Sequence, residues 1–550
     1  MTQGNGLSDA YTATLTRLKA QKGNKSALGL KVLMWVLYSE RPLRTEELCH
    51  AMGVELGSTD LDHENIPAVL TLLASTLGLV TVEASSSTFR LVHFTLQEHL
   101  LRDSTLFHSS HSTIAEACLT YLNFQCVRDL SPVLDSAPTS MPLLEYASYY
   151  WGEHTRKGLT ENVKMLALRL LDKFDEHISA QLILLRYDKN KGFFEPDLDS
   201  QKGPIGFTGL HGAAFLGIAE IFPAVLQMKK WDINARDITS CTPLIWAAAR
   251  GHEEVVKMLL ERGDVNLDLR DSRWMRTPLI WAAARGHEGV VKVFLEQEVV
   301  NPNQANSAYG QEALSSAAGN GHEGIVKMLL EREDINPNQA PAGDSNTPLS
   351  SAACWGYEGV VKILLEREDI NPNTVDTFLR RTPLLFAAKM GHEGIVKMLL
   401  DRNDIRIDIR DHWNKTALSW ALHYRRNKIA RMISERAASM SDRADPGSQE
   451  SPSSSAGASE KSIAEIELRD DPSNTTTADS NGHLHPHQET QESLTLPTGD
   501  GEEAVVEIEL RDDHPNSATA SLRGHLHPRQ QTPIRRKGIG LQSLFSWFLR

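Results

Sequence analysis

Histidines that recur at a fixed step are the most obvious candidates for chemistry in this sequence. His252, His287 and His322 are 35 residues apart, and His392 resumes the series after Tyr357 takes one place. Imidazole nitrogen is a common ligand of Zn²⁺ and related ions. One histidine per unit, each at a predicted junction between two helices, does not assemble a ligand set. The spacing therefore predicts a structural role for these histidines and no metal site.

The sequence shows no interpretable catalytic or cofactor-binding motif. A phosphate-binding loop follows the pattern G-x-x-x-x-G-K-[ST], in which backbone N–H groups and the lysine hold the phosphates. The nearest match is KGNKSAL, where Asn24 separates the glycine from the lysine and no glycine lies five residues before Gly23. No nucleophile and base occur together at an informative spacing. We therefore predict a protein that is not an enzyme and uses no cofactor.

The recurring histidines belong to a longer internal repeat, which predicts two short helices per unit. The line TPLIWAAARGHEEVVKMLLER begins at Thr242 and returns from Thr277, Glu312, Thr347 and Thr382, with degenerate copies from Thr208 and Thr416. Threonine is a good N-cap, and proline after it fits the first helical position. The glycine then ends the first helix in a left-handed conformation. The VVKMLLE segment predicts an amphipathic second helix.

This repeat resembles the ankyrin repeat, whose signature is T-P-L-H-x-A over about 33 residues. The signature histidine survives only as His211, so the other units depart from the pattern there. Ankyrin arrays bind other proteins through the tips of their loops and the concave face formed by their first helices. The resemblance implies an α-solenoid of about seven repeats within 206–436, with units 208–241, 242–276, 277–311, 312–346, 347–381, 382–415 and 416–436.

Two variable positions of the first helices are rich in Trp, Tyr and Arg, the residue types that dominate binding hot spots. The resemblance therefore implies a concave partner-binding face made by Trp246, Arg250, Trp281, Arg285, Trp355, Phe386 and Trp420. The finger tips, meaning the ends of the loops between successive repeats, add Trp274, Tyr309, Phe378 and Trp413. The alternative is that each aromatic side chain packs against a neighbouring repeat.

Residues 26–125 have a different pattern, with three predicted helices followed by a β-hairpin and a further helix. This order predicts a winged-helix domain, a fold that often reads DNA. The segment has no Lys or Arg between Arg44 and Arg90, and acidic residues precede the third helix at Asp60 and Asp62. DNA readers need positive side chains for phosphate contacts. We therefore expect no direct contact with nucleic acid, which the net charge of -14 also disfavours.

Several stretches, including ALGLKVLMWVLYSERPLRTEEL and STFRLVHFTLQEHL, resemble the region that follows the NACHT NTPase module in fungal NLR-like proteins. Those proteins commonly end in ankyrin arrays. The resemblance makes His93 the position from which a winged helix contacts bound nucleotide, although packing against the wing is the simpler interpretation. Because no phosphate-binding loop was found, the chain resembles the winged-helix and ankyrin part without the NTPase. It would then be a truncated product, a decoy or a standalone adaptor.

The remaining segments are assigned mainly by composition. Residues 1–25 form a polar N-terminal segment, and 126–205 form a helical connector. Residues 437–534 are acidic and poor in apolar side chains, so they are predicted to be a disordered tail. In 535–550 a basic triplet precedes apolar residues on one helical face, which predicts weak peripheral contact with a membrane or a partner. No stretch has the length and apolarity of a transmembrane helix.

These patterns predict a mostly α-helical protein that acts as a non-enzymatic scaffold or regulatory adaptor through its ankyrin array. One alternative is a transcriptional coregulator that reaches DNA only through a partner. A second alternative is a truncated NACHT-type signalling switch. The five scattered cysteines include no CxxC pair, and the N-terminus has no apolar signal segment. We therefore expect an intracellular location, in the cytoplasm or the nucleus.

Overall fold

The structure is a computed structural model. It describes residues 3–103, 106–107, 109–134, 136–189, 204–229, 231–297, 313–338, 346–377, 379–441, 491–497, 503–511 and 519–522. The chain divides into two compact units, Met1–Lys191 with Pro196–Leu468, and Gly192–Glu195 with Arg469–Arg550. Within the described residues, the first unit holds the helices and one hairpin, whereas the second holds three strands. The fold is mostly α-helical, as the sequence predicts.

The N-terminal elements form a winged helix, in which helices pack on a short hairpin. The strands are antiparallel, with Val80 opposite Leu91. Trp35, Leu72 and Phe89 are almost completely buried in its core. The first helix lies in a segment for which composition alone predicts no structure. The elements are α1 (Gln3–Lys19), α2 (Lys25–Tyr38), α3 (Thr45–Gly53), α4 (Val69–Ser75), β1 (Val80–Glu83), β2 (Thr88–Leu91) and α5 (Phe94–Arg102).

Five helices connect the winged helix to the repeats. They are α6 (Ser110–Leu122), α7 (Gln125–Arg128), α8 (Leu143–Lys157), α9 (Glu161–Leu171) and α10 (Ile178–Lys189). Helix α6 packs against α8 and α9, and α9 in turn contacts the first repeat. Tyr146 and Trp151 of α8 are fully buried, so this helix lies at the centre of the bundle.

The repeat array contains seven helix pairs within the described residues. The first helices are α11 (Gly209–Leu216), α13 (Pro243–Arg250), α15 (Pro278–Arg285), α17 (Ala313–Gly319), α19 (Pro348–Trp355), α21 (Pro383–Met390) and α23 (Ala417–His423). The second helices are α12 (Phe222–Met228), α14 (Glu253–Leu260), α16 (Glu288–Leu295), α18 (Glu323–Leu330), α20 (Glu358–Leu365), α22 (Glu393–Leu400) and α24 (Asn427–Ser441). Successive first helices pack on one another, which buries small side chains such as Ala247 and Ala248.

The helix ends follow the capping pattern that the sequence predicts. The hydroxyl of Thr242 accepts a hydrogen bond from the N–H of Ile245 at 3.2 Å, and the threonines of four later repeats cap in the same way. At the other end, Gly251 has a φ of +79°, in the left-handed region. A Cβ at this position would lie 2.5 Å from Nδ1 of His287 in the next repeat. Glycine is therefore required here for both backbone conformation and space.

The recurring histidines have the structural role that their spacing predicts. Nε2 of His252 donates a hydrogen bond to the carbonyl of Phe215 at 2.9 Å, and the later histidines repeat this contact. The acceptor carbonyl lies at the end of the preceding first helix, where intrahelical donors are no longer available. Each histidine therefore ties its repeat to the one before it.

Three segments of the tail, which composition assigns to disorder, pair as an antiparallel sheet. They are β3 (Gln491–Pro497), β4 (Glu503–Arg511) and β5 (Thr519–Leu522), in the order β3-β4-β5. The alternation of acidic and β-branched or aliphatic residues along EAVVEIELR favours an extended strand and explains this pairing. The segment 535–550 lies outside the described residues. Within the described part of the chain, no helix has the length and apolarity needed to cross a membrane.

Candidate partner-binding surface

The structure places Trp246 and Trp281 inside the array. Their side chains are only 3% and 7% exposed, and Trp246 packs edge-on against the rings of Phe215 and Tyr187. Phe386 is 1% exposed. A partner cannot contact rings that are covered by neighbouring repeats. The prediction that these three residues form a contact surface is therefore corrected, and the packing alternative describes them.

The buried tryptophans instead donate hydrogen bonds to aspartates in the loops that precede their own helices. The indole N–H of Trp246 donates to Oδ2 of Asp237 at 2.7 Å. Trp281 makes the equivalent bond to Asp271 at 3.2 Å. Oδ1 of Asp237 also accepts the backbone N–H of Cys241, so one carboxylate organises the whole turn. These aspartates recur about one repeat apart, a signal that the sequence analysis did not use.

The two arginines of the predicted face lie over aromatic rings. The guanidinium carbon of Arg250 is 4.4 Å from the ring centre of Phe215, and that of Arg285 is 5.4 Å from the ring centre of Trp281. Arg250 is exposed and Arg285 is partly exposed. Both remain accessible, but their aromatic partners do not, so a hot spot of paired Trp and Arg does not form here.

The last two repeats present a different arrangement, which we name the C-terminal aromatic surface and define as Lys389, Met390, Trp413, Trp420 and Tyr424. The side chains of Met390, Trp413 and Tyr424 are 38%, 43% and 44% exposed. The rings of Trp420 and Tyr424 are stacked, with centroids 5.7 Å apart and an interplanar angle of 18°. Trp413 meets Trp420 edge-on at 6.2 Å. The rings of Trp413, Trp420 and Tyr424 therefore form one continuous cluster that solvent reaches, and Met390 is exposed in the preceding repeat.

Two cations contact this cluster. The ammonium of Lys389 lies 5.1 Å from the ring centre of Trp420 and 5.9 Å from that of Tyr424. Beneath it, the buried guanidinium of Arg381 lies 5.0 Å from the ring centre of Trp413 and 5.6 Å from that of Trp420. Cation–π contacts and the indole hydrogen bond from Trp420 to Asp411 at 2.7 Å hold the rings in place.

The other residues of the predicted face are dispersed. Trp355 is partly buried in α19, and Trp274 is partly buried in a loop, with the guanidinium of Arg276 5.3 Å from its ring centre. Tyr309 and Phe378 lie outside the described residues. Among the predicted contact residues that the structure describes, only Trp413 and Trp420 come together as an accessible cluster.

Lys389 was not among the predicted contact residues, although its position in the repeat is informative. The equivalent positions in most other repeats hold small residues, such as Ala249, Ala284 and Cys354. The first and last repeats hold Phe215 and His423 there, so Lys389 is the only lysine or arginine at this position in the seven units. Met390 and Tyr424 were also not among the predicted contact residues, because exposure cannot be read from the repeat pattern alone.

Two family models match parts of this chain. A family model described as ankyrin repeats (3 copies) matches in overlapping stretches, 179–271, 210–306, 264–340, 300–376 and 349–444. A second model, described as GPI inositol-deacylase, winged helix domain, matches 15–115. Among solved structures, the crystal structure of the human ASB11 ankyrin repeat domain is similar. It is 24% identical, with a TM-score of 0.36, and the match covers 41% of this chain and 96% of that one.

The chain therefore combines an N-terminal winged helix with an ankyrin-repeat solenoid, as the sequence predicts. Ankyrin arrays are protein-interaction domains and are typically not catalytic. The chain thus carries a domain for binding other proteins, and the C-terminal aromatic surface is its best-formed candidate site.

Proposed function

We propose that this protein is a non-enzymatic scaffold or regulatory adaptor that captures a partner protein on the C-terminal aromatic surface. The observation that carries the proposal is the partly buried Trp420 stacked on the exposed Tyr424, beside the exposed ring of Trp413. Large aromatic side chains that are accessible and clustered are the usual centres of binding energy in interfaces.

Rigidity supports the same proposal. Binding costs free energy when side chains must be ordered, and a surface that is ordered beforehand avoids much of this cost. Here Lys389 and Arg381 both contact the ring of Trp420, and Asp411 accepts a hydrogen bond from its indole N–H. The surface is therefore organised before a partner arrives.

Charge around the surface indicates the chemistry of the partner. Arg380, Arg410, Lys415 and Arg425 are exposed in the loops and helix end next to the aromatic residues. Positive side chains at the rim of an apolar patch favour an acidic segment and speed its association. We propose a partner segment that combines acidic residues with one or two large apolar anchors.

Direct nucleic-acid binding has less support. Asp60, Asp62 and Glu64 are exposed at the turn before α4, where a winged helix that reads DNA would need positive charge. We therefore propose that the chain recognises protein partners and does not contact nucleic acid directly. The five cysteines are free thiols, which supports a reducing intracellular compartment.

A quantitative affinity purification tests the proposal. The full chain serves as bait and is compared with the double variant Trp413→Ala with Tyr424→Ala. Both side chains are exposed, so the array should stay folded. We expect partners to be recovered at least about tenfold less, because each hot-spot residue contributes roughly 1 to 2 kcal/mol. Phe94→Ala removes an exposed ring, 66% accessible, from the winged helix and serves as the control. Equal recovery with all three baits would refute the proposed surface.

A further inference from the structure

Three side chains that are distant in the sequence meet where the winged helix contacts the connecting bundle. Glu40 lies in the loop between α2 and α3, His111 at the start of α6, and His154 in the last turn of α8. One ligand atom from each lies within 4.8 Å of the other two. Among the described residues, no other set of three or more histidine, cysteine or acidic side chains meets this condition.

The two imidazole rings face each other through the same nitrogen. Nδ1 of His111 is 2.9 Å from Nδ1 of His154, so one nitrogen must carry a proton and the other must accept it. On the far side of the ring, Nε2 of His154 is 2.9 Å from the hydroxyl of Tyr146. That hydroxyl also accepts the backbone N–H of Glu40 at 3.1 Å. Tyr146 therefore fixes the orientation of the His154 ring.

The surroundings of His111 and His154 disfavour the protonated form of both imidazole rings. Burial, with the nearby positive charge of Lys157, lowers the pKa of His154 to about 3 and also lowers the pKa of His111. A neutral imidazole is the form that coordinates a metal ion. His154 is fully buried and cannot exchange its partner for bulk water.

We propose that Glu40, His111 and His154 form a site for a divalent transition-metal ion of the Zn²⁺ class. Two imidazole nitrogens and one carboxylate oxygen are a common ligand set for Zn²⁺, with a fourth position for water. Tetrahedral geometry with Zn–N bonds of about 2.0 Å places two nitrogens about 3.3 Å apart, so the rings need to separate by only about 0.4 Å. Tyr146 supplies the outer hydrogen bond that metal-bound histidines usually make.

Lys157 competes with the metal ion in this arrangement. Its ammonium lies 2.6 Å from Oε1 of Glu40 and so neutralises the carboxylate when no metal is bound. The Lys157 side chain is 45% exposed, so it can swing into solvent when a cation takes its place. Metal binding would replace one ion pair by a bridge between the α2–α3 loop and the helices α6 and α8. A bound metal ion would therefore cross-link the winged helix to the helical bundle that leads into the repeats.

Zinc titration of the full chain tests the proposal. The tail histidines His483, His485, His487, His525 and His527 are first changed to alanine in the parent, because they offer unrelated metal ligands. Isothermal titration with ZnCl₂ should show one ion per chain, and bound Co²⁺ should give the visible absorption of a four-coordinate site. The thermal midpoint should rise with the zinc concentration, since the ion binds the folded state.

Variants with opposite expected effects separate this site from any other. His111→Ala should weaken zinc binding at least about tenfold, whereas Lys157→Met should tighten it by removing the competing charge. Glu40→Gln should weaken binding without removing the helix contacts. His63→Ala removes an exposed histidine elsewhere in the winged helix and should change nothing. Circular dichroism without metal confirms that each variant is folded, and His111→Gln replaces His111→Ala if the latter is not.

Two results would overturn the proposal. One is the absence of stoichiometric zinc binding by the parent, which would leave His111 and His154 as a hydrogen-bonded pair. The other is equal zinc affinity in the parent, His111→Ala and Lys157→Met, which would place the bound ion elsewhere on the chain.

Discussion

Replacing Trp246 by alanine should unfold the start of the ankyrin array, although the residue occupies a position expected to contact partners. The indole is 3% exposed and packs against Phe215, Phe207 and Tyr187. Truncating a buried tryptophan to alanine costs roughly 3 to 5 kcal/mol of unfolding free energy. A loss of this size is a large fraction of the stability of an ordinary domain.

A second variant separates packing from hydrogen bonding. Trp246→Phe keeps most of the ring volume but removes the donor that lies 2.7 Å from Oδ2 of Asp237. Asp237 is 5% exposed, so water cannot easily replace the lost donor. The cost of leaving a charged acceptor without this bond is about 1.5 to 3 kcal/mol. Trp420→Phe removes the same bond to Asp411, which is also 5% exposed, so its cost should be similar.

Hydrogen exchange is the appropriate assay, because repeat arrays lose structure locally and a single unfolding free energy is not well defined for them. Peptides that cover α13 should lose protection by roughly 10²- to 10⁴-fold in Trp246→Ala, since each 1.4 kcal/mol corresponds to a factor of ten. Peptides from α21 and α22 serve as an internal control. Unchanged protection of α13 in Trp246→Ala, together with lost partner binding, would refute the assignment of this residue to the core.

Two further predictions concern the backbone and pH. Gly251→Ala should destabilise the array more than Gly263→Ala. Both glycines have positive φ, so alanine at either position costs about 1 kcal/mol of unfolding free energy. Only at Gly251 does the new Cβ also clash with the histidine of the next repeat. Urea denaturation of the two variants measures the difference, and equal costs would contradict the packing argument. Burial lowers the pKa of His177 and of His252 to about 4, so the unfolded chain, with a pKa near 6.5, binds protons first as the pH falls. Stability should therefore decrease from pH 6.5 towards pH 4, by up to roughly 3 kcal/mol for each histidine, and a urea midpoint that is constant over this range would contradict it.

The sequence by itself determined the repeat and its helix ends. Threonine, proline and glycine act through local backbone geometry, so their spacing is enough to predict where each helix begins and ends. The role of the recurring histidines followed from the same periodicity, because a side chain repeated once per unit meets the same neighbour each time. The β-hairpin and the order of helices likewise identified the winged helix.

Tertiary structure alone decided which aromatic residues are accessible. Trp246 and Trp420 occupy the same position of the repeat and make the same bond to an aspartate, yet only the first is covered. Trp246 has aromatic neighbours in the preceding repeat and the connecting bundle, whereas Trp420 belongs to the last repeat of the array. A position in a solenoid acquires its burial from the units on either side, and this cannot be read from the unit itself.

The cluster of Glu40, His111 and His154 likewise could not be predicted from local sequence. Sequence spacing predicted no metal site, because the three residues lie in different elements and form no motif. They meet only because α6 packs on α8 and the α2–α3 loop closes over the ends of both helices. Local spacing thus determined the repeats, while the contacts between distant helices decided which side chains could act together.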